Sequence, residues 1–347
     1  MVDRRAFLCS TLAPLASLAA TSRVRIGFLG ATHSHARAKI GLVAKSPLYE
    51  LAGVVEEDAA VRAQLEKAAI RLLSREQLLG DGTVRAVAVE SDVKDHARHA
   101  RLALEAGKHV HLEKPPSANR EEFRALVALA RRKGLLMQMG YMWRHHPGFA
   151  KIFEAARAGW LGDVYLVRGT IGTLIDAARR PEWAQSRGGH MFELCAHLID
   201  PLVRLLGRPA RVTPYLQKHA RLNDSLMDNV AAVLEYPRAL GIVTGATVQP
   251  DAGRHRAFEV YGTGGAAVLR PIEPPVLRLD LAQSAGPYQR GPQDVPLAPY
   301  RRYVGDFEEL AASITAGKPL AVTPEEDLNV HEALLRASDM WTKGGKP

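Results

Sequence analysis

Apolar positions along the chain fall into two rhythms. From Arg23 onward, short apolar runs alternate with helical stretches: Val24, Ile26, Phe28 and Leu29 close on Gly30, and a helix opens near Ser34. Leu51 to Val55 is a second run, followed by acidic residues and an amphipathic segment from Asp58 to Ala69. Val84 to Val89 is a third, rich in valine and alanine as buried parallel strands are. Ser91 or Asp92 caps a helix running to Gly107, and Val110 to Leu112 is a fourth strand. Asn119 to Glu122 reads as a capping box for a helix ending at Gly134, and Leu135 to Gly140 is a fifth strand. Strands alternating with helices predict a parallel sheet covered on both faces.

Past about Tyr141 the rhythm changes. A helix from Ala150 to Gly159 leads into strands at Val164 to Thr170, Arg211 to Tyr215, Val230 to Glu235 and Ile242 to Thr247. Their spacing predicts a larger, mostly antiparallel sheet with long connections. Residues 271–299, rich in proline and glycine, read as a loop or irregular strands. Two helices close the chain, one on Val304, Phe307, Leu310, Ala311 and Ile314, the other after the capping box Thr323-Pro324-Glu325-Glu326. The expected class is α/β: a Rossmann-type doubly wound parallel sheet over 23–143, then a substrate and oligomerisation domain over 144–347.

Composition adds limits. The 347 residues are 47% hydrophobic and 24% charged, a balance that buries a sizeable core and excludes a disordered chain. Two cysteines, Cys9 and Cys195, supply neither a disulfide framework nor a thiolate zinc cluster. The net charge of +9 is dispersed, without an arginine-rich arm, so no nucleic-acid partner is expected. No apolar run has the roughly 20 residues of a membrane-spanning helix. Residues 1–22 read as an export signal instead: Asp3-Arg4-Arg5 precedes the mild apolar stretch Ala6 to Ala20, and D-R-R-A-F-L resembles the twin-arginine signal. The expected location is the periplasm or beyond, and the cytoplasm if the signal is not used.

Candidate chemistry starts at the first turn. In Gly27-Phe28-Leu29-Gly30-Ala31-Thr32-His33-Ser34-His35, only the first glycine of a dinucleotide fingerprint survives, as Gly30; Thr32 and His35 hold the other two places. A helix N-terminus still offers N–H groups to phosphate, and Thr32 and Ser34 add hydroxyls. Glu56, ending the second strand, can accept both ribose hydroxyls and would repel a 2′-phosphate, so NAD is expected rather than NADP. Lys114 lies at the carboxyl end of the fourth strand, where ligands collect in open α/β sheets, with Glu113 beside it and Pro115 stiffening the turn. His190, Glu193, His197 and Asp200 are spaced 3, 4 and 3, which on one helix puts four ionisable groups on a single face, with Pro201 kinking or ending the segment.

The run A-G-K-H-V-H-L-E-K-P, Ala106 to Pro115, resembles the most specific motif of the glucose–fructose oxidoreductase, inositol dehydrogenase and rhizopine-catabolism family (Gfo/Idh/MocA). Glu56, His96, Gly140-Tyr141 with Arg144, the stretch Gly188 to Asp200, and Tyr261 to Gly265 fall in family order. The resemblance implies a nucleotide-binding domain, an open-sheet domain that often forms a homo-oligomer (dimer or tetramer), and Lys114 and His197 near the nicotinamide. It implies oxidation of a secondary alcohol of a sugar or cyclitol, or the reverse reduction. His197 would take the hydroxyl proton, Lys114 would hold the same oxygen, and Glu193, standing where the family has aspartate, would bind a neighbouring hydroxyl or orient the base. The candidate cofactor residues are Gly30, Thr32, His33, Ser34, Glu56, Ser91, His96, Glu113, Lys114 and Arg144. The candidate substrate residues are Lys114, Tyr141, Arg144, His190, Glu193 and His197, with no metal ligand assigned. Glu90-Ser91 replaces the family's Thr-Pro, and the sequence gives Glu90 no partner. Three rivals stand beside this reading: an NAD-dependent glycosidase working by transient oxidation and elimination, a metal-assisted lyase or isomerase using His190, Glu193, His197, His145 and His146, and a non-catalytic sugar-binding relative.

Overall fold

The structure is a computed structural model and describes residues 23–341. The twin-arginine motif lies outside the described residues. The first half runs β1 (Val24–Leu29), α1 (Ala36–Lys45), β2 (Tyr49–Val55), α2 (Ala59–Lys67), α3 (Arg75–Gly80), β3 (Ala86–Val89), α4 (Val93–Glu105), β4 (His109–Leu112), α5 (Arg120–Arg132) and β5 (Met137–Met139). The five strands pair in parallel in the order β2-β1-β3-β4-β5. All four residues of β3, Ala-Val-Ala-Val, are buried, as a central strand covered on both faces requires. Strand order reverses between β1 and β3, and the loops leaving their carboxyl ends diverge to open a crevice there.

The second half runs α6 (Pro147–Arg157), β6 (Val164–Thr170), α7 (Arg180–Trp183), α8 (His190–Glu193), α9 (Ala196–Leu206), β7 (Arg211–Gln217), β8 (Asn229–Glu235), β9 (Leu240–Ala246), β10 (Ala257–Gly262), β11 (Gly265–Leu269), β12 (Leu277–Leu281), β13 (Gly291–Val295), α10 (Val304–Ala316) and α11 (Pro324–Ala337). Its eight strands form one sheet, β13-β12-β11-β10-β6-β9-β8-β7, antiparallel except for β6 with β9. The last helices turn back to the first half: Tyr49 on β2 donates its hydroxyl to the carbonyl of Phe307 on α10, 2.6 Å away. No helix among the described residues is long and apolar enough to cross a membrane.

Three local expectations need correction, and a fourth is narrowed to one of its two alternatives. The stretch 271–299 is not loop throughout, because β12 and β13 within it extend the sheet, with Leu277, Leu279 and Leu281 buried between exposed Arg278 and Asp280. Asn119 caps α5 by accepting from the N–H groups of Glu121 and Glu122, but the Glu122 carboxylate takes the Ser117 hydroxyl at 2.6 Å, so no reciprocal box forms. The ionisable stripe does not ride one helix, since α8 and α9 are separate and the break falls at Leu194-Cys195. Pro201 sits inside α9 instead of ending it. Lacking an N–H, it leaves the carbonyl four residues back, on His197, without its helical donor.

Candidate active site

The crevice at the β1–β3 switch point is built by a turn only glycine can make. Gly30 has φ +82°, and a Cβ there would lie 2.4 Å from the Ser91 Cβ and 2.6 Å from its Cα. The cavity alongside measures about 200 Å³ and is lined by Gly30, Thr32, Glu56, Ser91, Arg75 and Arg98, among others. Glu56 is buried, and its carboxylate accepts from the N–H of Ala31 (2.5 Å), Glu57 (2.7 Å) and Asp58 (2.8 Å). It thereby ties the β1–α1 turn to the β2–α2 turn at the cavity wall. Thr32 and Ser34 stay exposed, while His33 is buried and donates its backbone N–H to the Glu90 carbonyl.

The Glu113-Lys114-Pro115 turn closes the far side. Glu113 accepts the Lys114 backbone N–H at 2.9 Å on one oxygen, and its other oxygen lies 3.2 Å from His35 Nδ1. Lys114 is buried, and its ammonium donates to the carbonyl of Glu193 at 2.9 Å. The Lys114–Pro115 bond is cis. His96 sits between the carbonyls of Pro115 (2.7 Å) and Ser91 (2.9 Å), so it braces this turn against the one after β3. The Ser91 hydroxyl is paired with His99 Nδ1 at 2.9 Å.

His197, on α9, lies beside His35. Its ring is buried, and neither nitrogen has a hydrogen-bond partner in the protein. The rings of Trp143 (5.5 Å between centroids), His35 (6.1 Å) and Tyr141 (6.3 Å) surround it, and the buried Tyr141 hydroxyl is also unpartnered. Burial, then the Lys114 charge, holds the His197 imidazolium well below the usual histidine range, so the ring is neutral at pH 7. Burial pushes the Glu193 carboxyl up to about 7, with Lys114 pulling the other way. Two unmet ring nitrogens, an ammonium and a carboxyl near its midpoint can hold or move a proton at a substrate oxygen.

Other predicted residues are placed elsewhere. His190 packs on the sheet, its Nε2 2.8 Å from the Ile171 carbonyl and its ring 5.7 Å from Trp183. The guanidinium of Arg144 is held through Nε and Nη2 by Asp200 (2.6 Å) and Asp327 (2.6 Å) and lies over the Tyr141 ring, so it ties α9 to α11. His146 caps α6 through Nδ1 and lies 2.9 Å from the Ile272 carbonyl through Nε2, while His145 pairs with Glu309 at 3.4 Å. The ligand set of the metal reading is thus dispersed. A different trio, His33, His35 and Glu113, brings donor atoms within 4.8 Å of one another, but the Lys39 ammonium already sits on that carboxylate.

Lys39 is the residue that sequence reasoning missed. It lies on the buried face of α1 with Ala36, Ile40 and Val43, and its ammonium meets Glu90 (2.7 Å), His111 Nε2 (2.9 Å) and Glu113. Glu90, left without a partner by the sequence, is paired here. A lysine on an otherwise apolar helix stripe was the available signal. Tyr303 was also missed: it precedes α10 with φ +68° and lays its ring 5.3 Å from that of His35.

A parallel sheet with a glycine turn at its switch point, facing a second sheet domain across a cleft, defines a two-domain nucleotide-binding class. Residues 24–141 match an oxidoreductase family with an NAD-binding Rossmann fold (GFO_IDH_MocA), and residues 149–268 match the GFO/IDH/MocA C-terminal domain. The chain belongs to the Gfo/Idh/MocA family and is an oxidoreductase. It is 26% identical over 279 residues to scyllo-inositol 2-dehydrogenase (NADP(+)) IolW of Bacillus subtilis (strain 168), covering 74% of this chain and 76% of that one. It is 30% identical over 199 residues to trans-1,2-dihydrobenzene-1,2-diol dehydrogenase of Bos taurus, covering 56% and 58%. The solved structure of GenD2 from gentamicin A biosynthesis, in complex with NAD, superposes with a TM-score of 0.76 at 23% identity over 95% of this chain and 97% of that one.

Proposed function

We propose that the protein oxidises a secondary alcohol of a sugar or cyclitol reversibly, with NAD as hydride acceptor. The carrying observation is the pair formed by Lys114, fixed at a strand end, and His197, a buried neutral imidazole with both nitrogens unmet. The Gly30 turn, Thr32, Ser34 and the cavity walled by Glu56 suit a dinucleotide, because the exposed Thr32 and Ser34 hydroxyls stand ahead of α1, whose N-terminal N–H groups can donate to phosphate. A nicotinamide dinucleotide held by these residues would supply the hydride acceptor. Lys114 hydrogen-bonds the alcohol oxygen and stabilises its developing negative charge. His197, neutral at pH 7, accepts the hydroxyl proton, and ionised Glu193 orients a neighbouring hydroxyl. Glu56 favours NAD, its negative charge opposing a 2′-phosphate. The names of relatives support the substrate class, since those proteins act on an inositol and a cyclic diol. We place the enzyme outside the cytoplasm on its twin-arginine-like start, and as a homo-oligomer.

The test is reduction of NAD by a panel of inositols, sugars and cyclic diols. Lys114→Ala should cut turnover by roughly 10²–10⁴-fold, the scale of a positioned proton-handling group, and leave NAD affinity nearly unchanged. Near-normal turnover in the variant would remove Lys114 from the chemistry.

A further inference from the structure

We propose that Lys39 is a positioning residue for Lys114, acting through Glu113 from beneath the site. The inference rests on the reading that Lys114 meets the reacting oxygen.

The Lys39 ammonium is fully buried and has three protons, and the structure gives each an acceptor: Glu90 Oε1 at 2.7 Å, His111 Nε2 at 2.9 Å and Glu113 Oε2. The histidine contact fixes a tautomer. Gln138 donates its amide N–H groups to the Asp306 carbonyl (3.0 Å) and to Glu309 (2.7 Å), so its oxygen must accept from His111 Nδ1–H at 2.9 Å. His111 Nε2 is therefore an acceptor, and serving it together with Glu90 and Glu113 takes the three N–H groups of a protonated Lys39. With all three protons committed, the ammonium has no freedom to turn.

That rigidity passes to Lys114 in one step. Glu113 Oε2 is held by Lys39, and Oε1 receives the backbone N–H of Lys114. The carboxylate thus spans the gap between the buried ammonium and the residue whose side chain reaches the Glu193 carbonyl. Glu90 and Glu113 would repel each other if both were ionised around an uncharged site. Lys39 is the cation that lets Glu113 remain a carboxylate, and it holds the Glu113 carboxyl below its ordinary range. The space is tight: a Cβ at Gly140 would lie 3.1 Å from Lys39 Nζ, 3.2 Å from His111 Nε2 and 3.2 Å from Glu113 Cα, so a methyl group there would press on this network by a few tenths of an ångström.

The test uses Lys39→Met combined with Glu90→Leu, which removes the buried cation together with the carboxylate it would otherwise strand. Fixation of Lys114 is read directly, by its rate of reductive methylation with formaldehyde and a borohydride reagent, followed by peptide mass spectrometry. Lys108 is the internal reference, because it is also buried and lies at the opposite end of β4, donating to the Asp81 carbonyl. We expect Lys114 to be modified about tenfold faster, as local opening of its turn allows, with Lys108 unchanged. Turnover should fall about 100-fold in kcat, the cost of a misplaced group, with a smaller change in KM. Unchanged Lys114 labelling, or an equal rise at Lys108, would overturn the proposal. If the double variant does not fold, Gly140→Ala decides: its methyl presses on Lys39 and should speed Lys114 labelling, and no change there overturns the proposal. The labelling needs no substrate. A wild type that labels as expected but reduces no NAD with any polyol counts against the proposed function, not against Lys39.

Discussion

His197 and Glu193 exchange the pH roles their residue types suggest. An unperturbed histidine titrates near neutrality, but His197 is buried beside the Lys114 charge and stays neutral down to well below that range. The carboxyl of Glu193, raised to about 7 by burial, is the group whose charge changes there. The rate of alcohol oxidation should therefore rise as pH increases through about 7, because Glu193 must ionise to accept a substrate hydroxyl. Glu193→Gln should remove that limb, with lower turnover at pH 8 and little at pH 5.5 left to lose. His197→Ala should lower turnover at every pH and leave the limb in place. A limb that survives Glu193→Gln and vanishes with His197→Ala would reverse this assignment. Residue identity was legible in the sequence for Lys114, His197 and Glu193, since each stands in a motif. Their protonation was not, because it depends on burial and on charges from remote segments. Lys39 shows the same limit: its partners Glu90, His111 and Glu113 lie 51 to 74 residues away.

At the scale of elements, periodicity located the parallel strands and most helices because each repeats over one buried face. It failed where a signal was shared between two states. The alternation Leu277, Leu279, Leu281 was present, but the neighbouring prolines and glycines read as loop, and the pairing of β12 with β11 and β13 is long-range information. Helical spacing from His190 to Asp200 was real arithmetic on a helix that breaks at Leu194-Cys195, so His190 turns to the sheet and Asp200 to Arg144. The Glu56 turn was read for its charge, and its structural task was hidden: three backbone N–H groups from two turns converge on it. Glu56→Ser should consequently do two things. NAD binding should weaken roughly tenfold to a hundredfold, the 1.5–3 kcal/mol of a hydrogen bond to a charged group, and the ratio of NAD to NADP affinity should fall. Fluorescence titration with both reduced dinucleotides checks this. Tighter NADP binding by the unmutated protein would show that Arg75 and Arg98 at the same cavity govern the choice instead.

Over the whole molecule, histidine burial sets the acid limit. Ten imidazoles (His33, His35, His96, His99, His109, His111, His146, His190, His197 and His331) have their protonation depressed, chiefly by burial. Each binds a proton more readily when unfolded, so its contribution to stability is present above the unfolded value of 6.5 and is lost as pH falls. The raised carboxyls Glu90 (about 8), Glu193 (about 7), Asp306 (about 6) and Asp327 (about 6) act oppositely, their stability being lost as pH rises through those values. Ten imidazoles against these four carboxyls predict a melting temperature that falls steeply below about 6.5, by thermal scans across that range. A melting temperature unchanged from pH 7.5 to 5 would contradict the buried neutral state of this cluster. Hydride transfer from a substrate carbon to nicotinamide at the Lys114–His197 site is open to an isotopic test. Cyclitols and sugars deuterated at their secondary carbons should be incubated with the protein and NAD, and the recovered dinucleotide weighed by mass spectrometry. One deuterium on the nicotinamide ring is expected for at least one polyol, abolished in Lys114→Ala; no deuterium from any polyol, or equal transfer in Lys114→Ala, would rule that transfer out.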